Sequence, residues 1–229
     1  MSEDQLNQDK ASEDKPVSIW SHAFSTAGVM IGFCIVGTVL LAYTHLKTSD
    51  LIASSEKQAK LALLSQVLPP ALHDNNLLQD TFKVPAGGEL GNSDETFAYR
   101  GRLGGKPSAV IFEAIAPDGY SGDIKLLIAI KADGEIAGVR VLAHKETPGL
   151  GDYIDIAHSD WIKKNFDGQS LIKTKDELWK VKKDGGSFDY MAGATITPRA
   201  VVKVVHKALQ YYGQHQQQIF AEDSGLKEK

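Results

Sequence analysis

The stretch "DIKLLIAIKADGEIAGVRVLAH", Asp123 to His144, sets the architecture of the chain. Apolar residues, many of them Ile, Val or Leu, run through both arms, and Asp133-Gly134 stands between them. Asp-Gly favours tight hairpin turns because glycine takes up the left-handed backbone at no steric cost. Two antiparallel strands are therefore predicted. Toward the N-terminus, "SAVIFEAIAP" (Ser108 to Pro117) is equally β-rich and "TFAYRGR" (Thr96 to Arg102) alternates. Toward the C-terminus the period changes. "SDWIKKNFDGQSL" reads as a short helix with Ser159 as its cap. Pro198 to Tyr212 places apolar residues at 201, 204, 205, 208 and 212, one face of a closing helix. Strands first and helices at the edges predict an α+β domain on a mainly antiparallel sheet.

The first part of the chain has another character. "AFSTAGVMIGFCIVGTVLLAYT" (Ala23 to Thr44) is 22 residues without a charge. At 1.5 Å per residue that length crosses a hydrocarbon core of about 30 Å. The lead-in is acidic and the exit, "LLAYTHLKTSD", has no small-residue cleavage site, so the stretch reads as an uncleaved single-pass anchor in membrane lipid. Gly28 and Gly32 form a GxxxG that would admit a second helix, although small residues at this spacing also arise by chance. Two lysines precede the span (Lys10, Lys15) and three follow it (Lys47, Lys57, Lys60), a near tie that leans toward a cytoplasmic C-terminal part. "SDLIASSEKQAKLALLSQVLPP" then predicts a linker helix capped by Ser49 or Asp50 and stopped by Pro69-Pro70. Ala71 to Asn92 reads as a connection with weak structure.

Composition excludes several function classes. The net charge is −4, and no basic run or basic-aromatic interleaving points to nucleic acid. Cys34 is the one cysteine, so there is no disulfide framework or thiolate metal cage, and the seven histidines form no ligand pair. No metal site and no stand-alone catalytic residue is expected. "GRLGGKPS" lacks phosphate-loop spacing, and Pro107 would interrupt a following helix.

Two segments carry possible chemistry. "HKETPGLGDYI" (His144 to Ile154) follows a predicted strand, and Gly149 and Gly151 permit close approach to a flat ligand, with Glu146 and Thr147 for polar contact. An ordinary loop has the same composition. "DYMAGATITPRAVV" (Asp189 to Val202) clears space around Thr195 with Ala192, Gly193 and Ala194. Thr197 suits an N-cap and Pro198 the first helical position, which places free N–H groups and a positive dipole end near Thr195. Arg199 in that first turn is easier to understand beside an anion, or it simply points to solvent. The chemistry reads as a phosphate near Thr195.

"APDGYSGDIKLLIAI", "HKETPGLGD", "SDWIKKNF", "VKKDGGSFDY" and "GATITPRAVV" occur in an order and spacing that closely resemble the G-subunit family of bacterial Rnf electron-transport complexes (RnfG, also written RsxG). The resemblance covers about Ser108 to Val205, and the single anchor agrees with it. The C subunit of the sodium-translocating NADH:quinone reductase shares the same FMN-binding domain, but "PDGYSG" and "VKKDGG" look more like the Rnf branch.

The resemblance implies FMN joined by a phosphoester to the last residue of a D-x-x-[S/T]-G-A-[T/S] motif, here Asp189 to Thr195, which makes Thr195 the flavinylated residue. A separate flavin transferase would attach the FMN from FAD with magnesium. Ala192 departs from the motif and removes a neighbouring hydroxyl. Glu146, Thr147, Gly149 and Leu150 match the loop beside the flavin ring. Tyr120 would stack on the ring or belong to the core. Lys183 would meet the phosphate or the flavin N1–O2 edge, or be one surface lysine among several. Asp189 would serve recognition by the transferase, or cap a turn.

The implied layout is a cytoplasmic tail (1–22), a transmembrane helix (23–44), a linker (45–92), a periplasmic FMN-binding domain (93–215) and a C-terminal tail (216–229). The implied role is an inner-membrane electron carrier within a translocase, partnered by the other Rnf membrane subunits. Two alternatives remain: membership of the quinone-reductase branch, or a flavin-free anchored scaffold, toward which only Ala192 leans.

Overall fold

The computed structural model describes residues 19–221. The expected tail therefore lies outside the described residues up to position 18, as does the end of the chain from 222. The chain divides into two units, 1–55 and 56–229. Helix α1 (Ile19–Val67) runs without a break past Ser49 and Asp50. The separate linker-helix start expected there does not occur, since "TSD" carries neither glycine nor proline to interrupt backbone pairing. In the first unit, Ala23–Ser49 is long and apolar enough to cross a membrane. Its large side chains, Phe24, Phe33 and Leu41 among them, stand exposed. At Gly28 and Gly32 an added Cβ would meet nothing within 4 Å.

The second unit is built on five strands: β1 (Thr81–Val84), β2 (Thr96–Leu103), β3 (Lys106–Gly119), β4 (Gly122–Lys131) and β5 (Ile136–Ala143). They pair in chain order, each antiparallel to the next. The Asp133-Gly134 turn joins β4 to β5 as expected, with Gly134 at φ 85° and the Asp133 carboxylate accepting the Glu135 N–H. β1 lies inside the stretch read as a weakly structured connection. Four residues between turns give too little alternation to stand out. Pro107 pairs with Arg102 beside the point where the β2–β3 register shifts, the kind of irregularity at which strands tolerate proline.

Alternate residues of the central strands serve opposite faces of the sheet. Val110, Phe112, Ala114, Ile124, Leu126 and Ile128 pack in the core that contains helix α3 (Ile196–Phe220), where Val201, Val205, Ala208 and Tyr212 are buried. Ala109, Ile111, Leu127 and Ala129 pack with Leu64, Val67, Leu68 and Leu77. Covering on both sides explains why "LLIAI" is apolar at consecutive positions rather than alternating. Each fully buried large side chain contributes about 1.5–3 kcal/mol. Lys60 reinforces the second face, 3.6 Å from Glu113 and 5.0 Å above the Tyr99 ring.

The far end of α3 is held by a buried cation. Arg100, wholly enclosed, donates from Nη1 to the carbonyls of Ile219 (3.1 Å) and Ala221 (3.0 Å). Its Nε lies 2.5 Å from Asp80, which also accepts from Arg102 Nε at 2.6 Å. The helix thus runs past Tyr212 to Phe220 because its last carbonyls have a partner. Replacing Arg100 with methionine leaves Asp80 short of a partner and two carbonyls bare. The full-length protein in detergent should lose about 3–5 kcal/mol of stability, read as a lower thermal midpoint; an unchanged midpoint would contradict this role.

Candidate functional site

A cavity of about 290 Å³ opens where three segments converge. The β3–β4 turn supplies Tyr120. The loop after β5 supplies Glu146, Thr147, Leu150 and Gly151, and the entrance to α3 supplies Gly193 to Thr197.

Glu146 joins all three. Its carboxylate, 5 % exposed, accepts the Ser121 N–H on Oε1 (3.1 Å) and the Thr197 hydroxyl on Oε2 (2.6 Å). The loop is folded back by the Thr147 carbonyl, which accepts from Leu150 N (3.1 Å) and Gly151 N (3.0 Å). Gly149, at φ 76°, donates to Asp152 and makes the turn rather than lining the cavity. A Cβ on Gly151 would lie 2.7 Å from Glu146 Oε2 and 2.9 Å from Thr197 Oγ1, so only glycine fits.

The stretch leading to Thr195 is fixed from below. The Asp189 N–H donates to Asn165 Oδ1 (2.7 Å), and Trp161 Nε1–H donates to the Asp189 carbonyl (3.0 Å). Both partners come from helix α2 (Trp161–Phe166), whose cap position is Asp160 rather than the expected Ser159, although the Ser159 hydroxyl still accepts from the Trp161 N–H. Met191 N–H donates to the Tyr153 hydroxyl at 3.2 Å. Burial pushes the Tyr153 phenol up to about 12 from an ordinary 10. Its folded-state preference for the proton stabilises the protein below pH 10 and is lost as pH rises through about 12. Gly193 takes φ 87°, the left-handed turn that brings the chain to Thr195.

The helix begins earlier than the sequence suggested. α3 starts at Ile196, with Thr195 at the cap position, and Thr197 is not the N-cap. The Thr197 side chain is drawn away from the helix end by Glu146. Thr195 is 8 % exposed, lines the cavity, and its hydroxyl takes no hydrogen bond among the described residues.

The basic residues expected at an anion do not line this cavity. Arg199 makes a two-pronged ion pair with Asp184, Nε and Nη2 each 2.6 Å from an oxygen. This pairing holds the Asp184 carboxyl below its usual range and raises Arg199. Lys183 is exposed in the turn Lys182–Asp184, and the Asp189 carboxylate is paired with Lys182. Among the lining residues Glu146 alone carries a charge, and it is negative. Gly151, expected to permit close approach to a ligand, does line the cavity, whereas Ile196 and the two supports Tyr153 and Ser121 were not singled out as site residues from the sequence. Of these four, only Gly151, in the "GLG" of the loop, gave a signal.

The cavity presents an unpartnered hydroxyl at one wall, Leu150, Ile196 and Tyr120 at the others, and one carboxylate. A family model described as "FMN-binding domain" matches residues 119–210, which contain every lining residue. This is therefore a protein with an FMN-binding domain. A second model, "RnfG N-terminal region", matches residues 21–67. The G subunit of the ion-translocating oxidoreductase complex of Vibrio atlanticus (strain LGP32) is 48% identical over 194 residues, 85% of this chain and 92% of that one. Its namesake from Pseudomonas aeruginosa (strain UCBPP-PA14) is 48% identical over 189 residues, 82% of this chain and 88% of its own. The chain belongs to the family of G subunits of ion-translocating oxidoreductase complexes. A crystal structure of Shewanella oneidensis NqrC covers 65% of this chain and 76% of its own at 21% identity and a TM-score of 0.44, too slight a likeness to bear on function.

Gly151→Ala should strain both Glu146 and Thr197, at a cost of about 1–3 kcal/mol. Thermal unfolding checks the stability, and flavin content after expression with a flavin transferase checks the site. Wild-type values in both would show that the junction has room to spare.

Proposed function

We propose that this chain is the electron-carrier subunit of an Rnf-type ion-translocating complex and that its FMN is bound covalently through a phosphoester on Thr195. The observation that carries this reading is the Thr195 hydroxyl: unpartnered, at the wall of the cavity, and introduced by a glycine at φ 87°. A phosphoester needs an unhindered hydroxyl, and Gly193 and Ala194 keep bulk away from it. A bound flavin supplies one- and two-electron redox chemistry, while the protein supplies orientation and electrostatics.

The chain's own residues then have distinct tasks. Gly193 to Ile196 present the attachment point. Tyr120, Leu150 and Ile196 offer apolar surface to the ring system. Glu146 holds the walls together and gives the cavity its one fixed charge. The start of α3 favours the phosphodiester by about 0.3–1 kcal/mol. Arg199 and Lys183 have no part in this reading, since Arg199 is held by Asp184 and Lys183 does not line the cavity.

The wider role rests on family and resemblance. It is a single-pass subunit with the flavin domain in the periplasm, passing electrons between the other redox subunits of a complex that couples ferredoxin and NAD chemistry to ion movement. A separate flavin transferase matures it, and the attached phosphate makes it a phosphoprotein. A C-terminal alkaline phosphatase fusion should be active in the periplasm; activity confined to a cytoplasmic reporter would reverse the topology.

The test of the site is in-gel flavin fluorescence after denaturation, with wild type and Thr195→Val each co-expressed with the transferase. A fluorescent wild-type band and a dark variant are expected. Fluorescence in both would move the attachment elsewhere, and darkness in both beside a glowing control would favour the flavin-free scaffold.

A further inference from the structure

The acceptor residue is poorly placed for an enzyme to reach. Thr195 is 8 % exposed and Ala194 9 %, yet flavin attachment requires the Thr195 oxygen to enter a second protein's active site. In that step Thr195 Oγ1 attacks the FMN phosphorus of FAD. One P–O bond forms as the pyrophosphate P–O bond breaks, AMP departs, and the hydroxyl proton passes to water.

The segment around Thr195 is tied to the rest of the fold by a short set of hydrogen bonds and by Ala194, which packs in the core. On its N-terminal side Asp189 is tied twice to α2, through Asn165 and Trp161. On its C-terminal side Thr197 is tied to Glu146. Between these anchors, the bond from Met191 N–H to the buried Tyr153 hydroxyl links the segment to another part of the fold. Ala194 N–H donates only to Met191, inside the segment itself. The first bond of α3, from Arg199 N–H to the Thr195 carbonyl, is long at 3.4 Å, and Pro198 has no N–H to add another. Tyr190, Met191, Ala192 and Gly193 already face solvent. Gly193, at φ 87°, has the backbone freedom that a hinge would need.

We infer that Tyr190 to Ile196 is a strap latched by Tyr153, and that release of this latch exposes Thr195 for flavin transfer. Closing the latch afterwards seats the attached group in the cavity. This inference rests on the reading of Thr195 as the flavin acceptor. Tyr153 is a positioning residue here: it acts on the acceptor through the Met191 backbone and does not line the cavity.

The experiment uses full-length protein made without the transferase, purified in detergent, and then mixed with purified transferase, FAD and magnesium. The rate of covalent labelling is read by in-gel fluorescence. Tyr153→Phe removes the latch oxygen and keeps the ring, so labelling should quicken about fivefold, the weight of one ordinary hydrogen bond. Amide exchange at Met191 should quicken by a similar factor, while the α3 amides near Val204 stay protected. Trp161→Phe, which frees the Asp189 carbonyl, should shift labelling in the same direction. Equal labelling rates in wild type and both variants would overturn the strap. Labelling that persists in Thr195→Val would instead overturn the acceptor assignment on which it stands.

Discussion

The buried carboxylate of Glu146 is the constraint on which the rest of the site depends. A charge 5 % exposed is costly unless donors surround it. Here the donors come from the β3–β4 turn, Ser121 N–H, and from the first turn of α3, the Thr197 hydroxyl. Hydrogen bonds to a charged group contribute about 1.5–3 kcal/mol each. Satisfying one side chain therefore brings together three stretches of chain that are far apart in sequence. Gly151 follows from the same requirement, since a Cβ there would press on the carboxylate, whereas at Gly119 a Cβ would first meet the Gly122 carbonyl oxygen at 2.2 Å.

With Thr197 committed to Glu146, the hydroxyl left free at the helix entrance is that of Thr195. Two nearby cations are committed too, Arg199 to Asp184 and Lys182 to Asp189, and Lys183 does not line the cavity. The cavity then offers a phosphate no ion pair and one negative wall. On the proposed reading, a covalent bond does what a cluster of basic residues does in a reversible phosphate site. The cofactor stays because it is attached, and the surroundings need only fit it.

Much of this was legible in the sequence, and the misses have physical reasons. Strands β2 to β5 announced themselves through β-rich runs and the Asp133-Gly134 turn. The apolar face of α3 was visible at 201, 204, 205, 208 and 212. Glu146, Thr147, Leu150, Tyr120 and Thr195 do converge on one cavity, and the family resemblance, rather than local composition, brought them together. β1 was too short to show a period. The start of α3 was misplaced because Thr-Pro is a strong local cap signal, which the pull of Glu146, 51 residues away, overrides. Arg199 was read either beside an anion or pointing to solvent, because the acid that engages it, Asp184, lies 15 residues distant and outside any helical pairing rule. Interactions that depend on tertiary approach leave no local periodicity to read.

The most direct measurement is the mass of the tryptic peptide Asp184–Arg199, released by cleavage after Lys183 and Arg199, from protein matured beside its flavin transferase. It contains both Thr195 and Thr197, the free hydroxyl and the committed one. The account predicts a peptide heavier by one FMN less one water, with fragment ions placing the addition on Thr195. An unmodified peptide, or an addition on Thr197, would contradict it.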